Sequence, residues 1–269
     1  MGADTTDSNN QHSEVPDYIR ESGWNFSNAI WKSLSEYEKE FAVVEFSGLK
    51  SLEYYGKRLE HLGFVNKGKI LDAACGMGQW TIALSDLNTS VFGIDLNQSR
   101  LHIASQLDHN HGKKNCNFYQ GNLESLPYRD QSFDAVFCYG VFMFTDMEKT
   151  LSEFNRVLKP NGKLYLNANC FGWYLHLFFD RGLKQKNFTM IKIVQNILTR
   201  TLKRERSSII VTERKLLKMV SKSGFQVIQI KPEGKISVNP DREAPPQSAY
   251  PSSYYGFLSI VEILAEKVK

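Results

Sequence analysis

The residues best placed to do chemistry are two acidic ones, Asp72 and Asp95, each closing a short apolar run, with Gly76 and Gly78 between them. A carboxylate offers acceptor oxygens and no donor, which suits the paired hydroxyls of a ribose. Glycine lets the backbone approach a ligand closely and adopt dihedrals closed to other residues. In K-I-L-D-A-A-C-G-M-G-Q-W, residues 69 to 80, the first half reads as a buried strand ending at Asp72 and the second as a tight turn at a helix start. Such a unit holds nucleotide-like ligands, although an ordinary glycine turn between packed elements would look the same. Asp95 ends the next strand, S-V-F-G-I-D, where a carboxylate can accept both ribose hydroxyls or cap the following helix.

These groups converge only if the strands lie side by side. A third strand is expected at Asn115 to Gln120, a fourth at Phe133 to Tyr139, and a fifth in K-L-Y-L-N-A after Asn161-Gly162. Helices are expected at Gln79 to Leu87, Gln98 to Leu107 and Met147 to Leu158, and this alternation predicts a parallel α/β sheet. Ligands of such sheets sit beyond the carboxyl ends of the strands, where Asp72, Asp95, Gln120 to Glu124 and Cys138 to Val141 meet.

Outside this core, residues 1 to 20 read as a loose polar leader, with a helical N-terminal cap over residues 21 to 63. Trp24, Phe26, Trp31, Tyr37, Tyr54 and Tyr55 in the cap could line a pocket mouth or pack the core. The main domain is expected from residue 64 to 269, with residues 171 to 206 too long for a plain link and read as a helical lid insertion. The lid gathers Arg181, Lys184, Lys186, Lys192, Arg200, Lys203, Arg204 and Arg206 against Asp180 and Glu205. That basic face could be solvated surface, or could meet an anionic substrate, lipid or RNA.

With 269 residues and 42% apolar content the chain can bury a large core, and a net charge of +4 is too small to indicate nucleic acid by itself. Cys75, Cys116, Cys138 and Cys170 have no metal-binding spacing and read as reduced thiols. The N-terminus has no secretory pattern and no apolar run is long enough to cross a bilayer, so a cytoplasmic protein is expected. Nothing in the sequence specifies an oligomeric state.

Four signals in order, namely D-A-A-C-G-M-G, the acidic end at Asp95, G-N-L-E-S-L-P-Y, and S-F-D-A-V-F-C-Y-G-V-F, resemble the class I S-adenosylmethionine-dependent methyltransferases over about residues 65 to 168. The resemblance implies a Rossmann-like, seven-stranded, mostly parallel sheet with an antiparallel last strand. It implies S-adenosylmethionine as cofactor, S-adenosylhomocysteine as product, and a small-molecule methyl acceptor, anionic or partly apolar, modified at oxygen or nitrogen by in-line displacement. An RNA or protein methyltransferase using the basic lid, or a noncatalytic cofactor-binding homologue, are the alternatives.

By the same resemblance Asp72, Ala74, Cys75, Gly76 and Gly78 would meet the methionine end and Asp95 the ribose, with Trp80 also binding the cofactor. Leu96, Asn122 and Leu123 would surround the adenine and Glu124 would also bind the cofactor, with Cys138 and Tyr139 near the sulfonium. Two departures stand out. Ala74 replaces the first family glycine, which is tolerable at negative φ, and Asn122 replaces the usual aspartate, keeping an acceptor and adding a donor. Relatives also carry histidines after strand four, where this chain reads G-V-F-M-F-T-D. Tyr139 and His176, the latter in the lid, are therefore the candidate catalytic residues. The missing histidine tilts the expectation toward an amine or an acidic hydroxyl as acceptor.

Overall fold

The computed structural model describes residues 14–48, 50–202, 209–239, 244–248 and 250–268. Its strands are β1 (Lys69–Ala73), β2 (Ser90–Asp95), β3 (Cys116–Gln120), β4 (Phe133–Cys138), β5 (Leu158–Asn169), β6 (Phe225–Pro232), β7 (Ser253–Tyr254), β8 (Phe257–Leu258) and β9 (Ile260–Lys267). Seven form one sheet in the order β3-β2-β1-β4-β5-β9-β6, and β7 pairs with β8 in a separate two-residue hairpin. The first five strands run parallel, whereas β9 is antiparallel to both neighbours. This is the expected Rossmann-like sheet with its antiparallel last strand. The order turns back between β1 and β4, which opens a ligand crevice at their carboxyl ends.

The strands at this switch point carry continuous apolar runs because both faces are covered. Ile70, Ala135 and Phe137 face one core, and Leu71, Val136 and Cys138 the other. Helices α5 (Gln79–Leu87), α6 (Gln98–His111), α7 (Met147–Val157) and α10 (Glu213–Lys222) supply the covering layers. Asn161-Gly162 does not separate α7 from β5 as expected. The strand starts at Leu158, directly after the helix, and a register irregularity between Phe133 and Ala135 absorbs the turn residues.

The cap comprises α1 (Asp17–Arg20), α2 (Asn28–Ser33), α3 (Glu36–Glu45) and α4 (Leu52–Leu62). Ser35 and Glu38 form a reciprocal capping box, so the apolar periodicity after Trp24 divides into two helices at extended Leu34. Val15 and Ile19, ahead of these helices or in the first of them, are buried in the same core. Its aromatic residues mostly pack instead of lining a mouth: Trp24 meets Phe46 edge-on at 4.9 Å and Tyr55 meets Trp80 at 4.3 Å. Tyr37 is exposed.

After β5 the chain forms α8 (Phe171–His176), a π-helical stretch (Leu177–Lys184) and α9 (Phe188–Leu202), anchored by a small core of Tyr174, Val194 and Ile210. Lys203, Arg204, Glu205 and Arg206 lie outside the described residues. Among the described residues, no helix is long and apolar enough to cross a membrane.

Candidate active site

A cavity of about 230 Å³ lies over the switch point. Ala74, Gly76, Gln79 and Asp95 form one wall, Tyr139, Gly140, Val141, Asn167 and Asn169 the floor, and Phe41, Glu45, Trp173 and Tyr250 the roof. The roof therefore comes from the cap, the lid and the segment before β7, while wall and floor come from strand ends. Arg100, near the start of α6, brings a cation to the cavity.

The wall is set by backbone geometry. Gly78 caps α5 at φ 86°, and a Cβ there would come within 2.9 Å of Ala104. Glycine is thus required both by the dihedral and by the approach of α5 to α6. The Cys75 amide donates to the Ile94 carbonyl at 3.0 Å, and the Gly76 amide donates to Asp95 Oδ2 at 2.9 Å. Asp95 Oδ1 accepts from the Asn97 amide at 2.9 Å. Each carboxylate oxygen keeps a further lone pair. Capping of α6 falls to the Asn97 side chain, which accepts from Arg100 N, so Asp95 is not the helix cap.

Ala74 does not take the negative φ its side chain prefers. Its φ is 66°, held there between the end of β1 and the two amides that tie the loop to β2. A left-handed alanine costs about 1 to 2 kcal/mol.

Asp72 is buried behind this wall, accepting from the Thr81 hydroxyl at 2.6 Å. Burial pushes its carboxyl up to about 7; the Thr81 bond opposes this and nearby Asp95 adds to it. Gln79 Oε1 is buried at the cavity without a hydrogen-bond partner, an acceptor left open toward a cationic ligand.

Of the predicted residues, Ala74, Gly76, Asp95 and Tyr139 meet at the cavity, while the others stand behind or beside it. Trp80 is a packing residue between Tyr55, Phe137 and Tyr139, with its Nε1 buried and unpartnered. The Cys138 side chain turns into the core beneath α7, because alternation along β4 sends Phe137 and Cys138 to opposite faces; Tyr139 and Gly140 face the cavity in its place. Cys75 is buried, Leu96 is exposed, and Leu123 packs in the core. Asn122 accepts from the Glu124 amide at 3.0 Å, and Glu124 Oε1 accepts from the Asp146 amide at 2.9 Å.

His176 is not among the residues lining the cavity. Its Nδ1 meets Asp180 at 2.9 Å and its ring stacks on Tyr254 at 4.2 Å, while Asp180 also accepts from Lys184 and Tyr255. These bonds hold the Asp180 carboxyl down to about 2 and tie up one of the lid cations.

Tyr139 donates a short hydrogen bond to Glu233 Oε1, and Ser248 donates to Oε2 at 3.1 Å. Burial pushes the Glu233 carboxyl up to about 7, the Tyr139 bond opposing and Glu262 reinforcing the shift. In the roof, Lys50 donates to Glu45 at 2.5 Å and to the Tyr250 hydroxyl at 2.9 Å, and Tyr250 in turn donates to Glu45 at 3.2 Å. Sequence reasoning did not find Gln79, Arg100, Asn167, Glu45 or Glu233. Only Gln79 carried a signal, its place directly after the glycine turn.

Residues 71–166 match a family model described as a methyltransferase domain. A demethylmenaquinone methyltransferase of Lactococcus lactis is 35% identical over 140 residues, 50% of this chain and 55% of that protein. The uncharacterized methyltransferase YcgJ of Bacillus subtilis is 36% identical over 132 residues, 48% of each chain. The chain thus spans about half the length of these relatives. Among solved structures, a geranyl diphosphate methyltransferase in complex with SAM superposes with a TM-score of 0.60 at 15% identity, over 88% of this chain and 92% of that one. The YcgJ structure does so at 0.53 and 20% identity, over 81% and 99%. At these identities the superpositions show a shared fold.

Proposed function

We propose that this chain, which belongs to the class I S-adenosylmethionine-dependent methyltransferases, methylates an oxygen or nitrogen of a small molecule inside the covered cavity and leaves S-adenosylhomocysteine. The observation that carries this reading is the Asp95 carboxylate. It stands at the end of β2, fixed by two backbone amides, with spare lone pairs at a cavity over the switch point.

Bound S-adenosylmethionine would supply a methyl group already activated on a sulfonium, so the chain mainly has to align the partners and exclude water. Asp95 would accept the ribose hydroxyls, and exposed Leu96 would lie against the adenine, with Asn122, Leu123 and Glu124 at its edge. The open Gln79 carbonyl and the Ala74 to Gly76 backbone would receive the methionine end. Asp72, at the rear of that wall, would give up its proton to offset a cationic ligand, and Cys75, Gly78 and Trp80 would support the loop.

Phe41, Trp173 and Tyr250 make the acceptor side partly apolar, and Arg100 suits an anionic substituent. The demethylmenaquinone methyltransferases among the relatives point in the same direction, toward a partly apolar small molecule. We read the chain as cytoplasmic, a reading that its free cysteines support. Calorimetry with S-adenosylmethionine and S-adenosylhomocysteine tests the cofactor assignment, and absence of binding to the folded chain overturns it. A labelled-methyl screen over metabolite, lipid and RNA fractions then identifies the acceptor; label entering only RNA would overturn the small-molecule assignment.

A further inference from the structure

No histidine follows β4, yet a hydrogen-bonded Tyr139–Glu233 pair leads away from the cavity at that position. Tyr139 lines the cavity, and its hydroxyl proton is committed to the carboxylate of Glu233, which is itself buried just after β6. A phenol whose proton points away from the cavity presents its oxygen lone pairs as an acceptor. Glu233 is held for this task, since Ser248 donates to its other oxygen and its own backbone amide donates to the Ile260 carbonyl at 3.1 Å.

Resting on the methyltransferase reading, we infer that Tyr139 takes the proton of a hydroxyl-bearing aromatic acceptor and passes its own proton to Glu233, making the reaction an O-methylation. In the step, the acceptor oxygen forms a bond to the methyl carbon as the methyl–sulfur bond breaks, its electron pair staying on sulfur as a neutral thioether. The acceptor proton moves to the Tyr139 oxygen and the Tyr139 proton to the Glu233 carboxylate, so the positive charge lost at sulfur reappears as a neutralised carboxylate. That proton returns to solvent after product leaves. The aromatic roof of Phe41, Trp173 and Tyr250 selects a flat acceptor.

The charges facing the pair are consistent with a base of this kind. Burial and Glu262 raise the Glu233 carboxyl while Arg58 lowers it, leaving it at about 7. Tyr139 is raised by burial and by Glu233, Tyr250, Glu45 and Tyr165, so it is a relay and not a standing phenolate. Arg58 is itself committed to Glu262 at 2.8 Å, so it does not hold Glu233 permanently ionised. A base near neutrality fits a weakly acidic hydroxyl, whereas a neutral amine needs none.

The test uses the full chain, S-adenosylmethionine, a naphthol as hydroxyl probe and the matching naphthylamine as control. Methyl transfer to the naphthol should exceed transfer to the amine, and its rate should rise with pH through about 7. Glu233→Gln and Tyr139→Phe should each lower kcat by about 100-fold or more and flatten that rise. In calorimetry Glu233→Gln should bind S-adenosylhomocysteine within about twofold of the parent chain. An infrared difference titration of the free chain against Glu233→Gln should show one protonated carboxyl band, beyond that of Asp72, that disappears through about pH 7. Unchanged kcat in Glu233→Gln, transfer favouring the amine, no transfer to the naphthol, or a band already gone at about pH 5 overturns the relay. Failure of the parent chain to bind S-adenosylhomocysteine overturns the cofactor reading instead.

Discussion

The strand-end wall and the roof of this cavity are built in opposite ways. The wall is tied by near neighbours: Gly76 to Asp95 across 19 residues, Thr81 to Asp72 across 9, and Asn97 to Asp95 across 2. Two of those three bonds use backbone donors. The roof and the groups behind it are joined by side chains far apart in sequence: Glu45 to Tyr250 across 205 residues, Lys50 to Tyr250 across 200 and Tyr139 to Glu233 across 94. The first kind of site is carried by a short motif and exists wherever that motif folds. The second exists only after the cap and the segment before β9 have docked, so its residues can change without disturbing the wall.

The sharpest way to break this contrast is to remove Lys50. Lys50 and Glu45 are nearly buried, and Glu45 also accepts from Tyr55 and Tyr250. Lys50→Met leaves a buried carboxylate without its cation and should cost about 3 to 5 kcal/mol in urea unfolding. If the roof is separable from the wall, the folded variant keeps its S-adenosylhomocysteine affinity. A parallel loss of affinity would mean that the two halves form one unit. Asp95→Ala probes the other side. It deletes the proposed acceptor for two ribose hydroxyls and should weaken S-adenosylhomocysteine by about 100-fold in calorimetry. It also orphans the Gly76 and Asn97 amides, a smaller loss of about 1 kcal/mol each in stability. Unchanged affinity in a folded variant would remove Asp95 from the site.

The same contrast explains how far the sequence could be read. Asp72, Gly76, Gly78 and Asp95 sit in one strand–turn–helix–strand unit whose periodicity and turn residues are local, so the parallel α/β core and its switch point follow from spacing, while the seven-stranded sheet and the cofactor roles rest on resemblance. The antiparallel β9 was legible through resemblance, whereas the β7–β8 hairpin was not. Ala74 was legible as a departure but not in its sign of φ, because that dihedral is imposed by amides pairing with β2. Glu233 and Glu45 lie in unremarkable polar contexts, P-E-G and V-V-E-F, and become a proton acceptor and a roof anchor only through partners about 90 to 200 residues away. His176 shows the converse: a promising residue type in the lid, whose ring contacts Asp180 and Tyr254 and not the cavity lining.

Buried Asp72 gives a pH test confined to the wall. Its carboxyl lies near 3.8 when exposed and at about 7 in the folded chain. Between those values the folded state holds more protons than the unfolded one, so stability falls as pH rises through the window and levels off above about 7. The loss from this group between about pH 5.5 and about pH 8 should be about 2 kcal/mol. Asp72→Asn should remove that share of the slope in denaturant titrations, leaving the part due to Glu233, which has the same sign. An identical slope in the variant would mean that Asp72 does not hold its proton in the fold.

The smallest expected effect concerns Ala74, the one wall residue whose side chain works against its backbone. At φ 66° its methyl group costs about 1 to 2 kcal/mol, and glycine would relieve that strain while gaining about 0.5 to 1 kcal/mol of unfolded-chain entropy to lose. Ala74→Gly should therefore stabilise the chain by only about 0.5 kcal/mol, measured as a shift in the denaturant midpoint at constant slope. Because the Cys75 and Gly76 amides already fix the loop, the wall should keep its shape and its cofactor affinity. A destabilisation instead would show that the methyl group contributes packing at the cavity that outweighs its dihedral strain, and that the wall depends on a side chain after all.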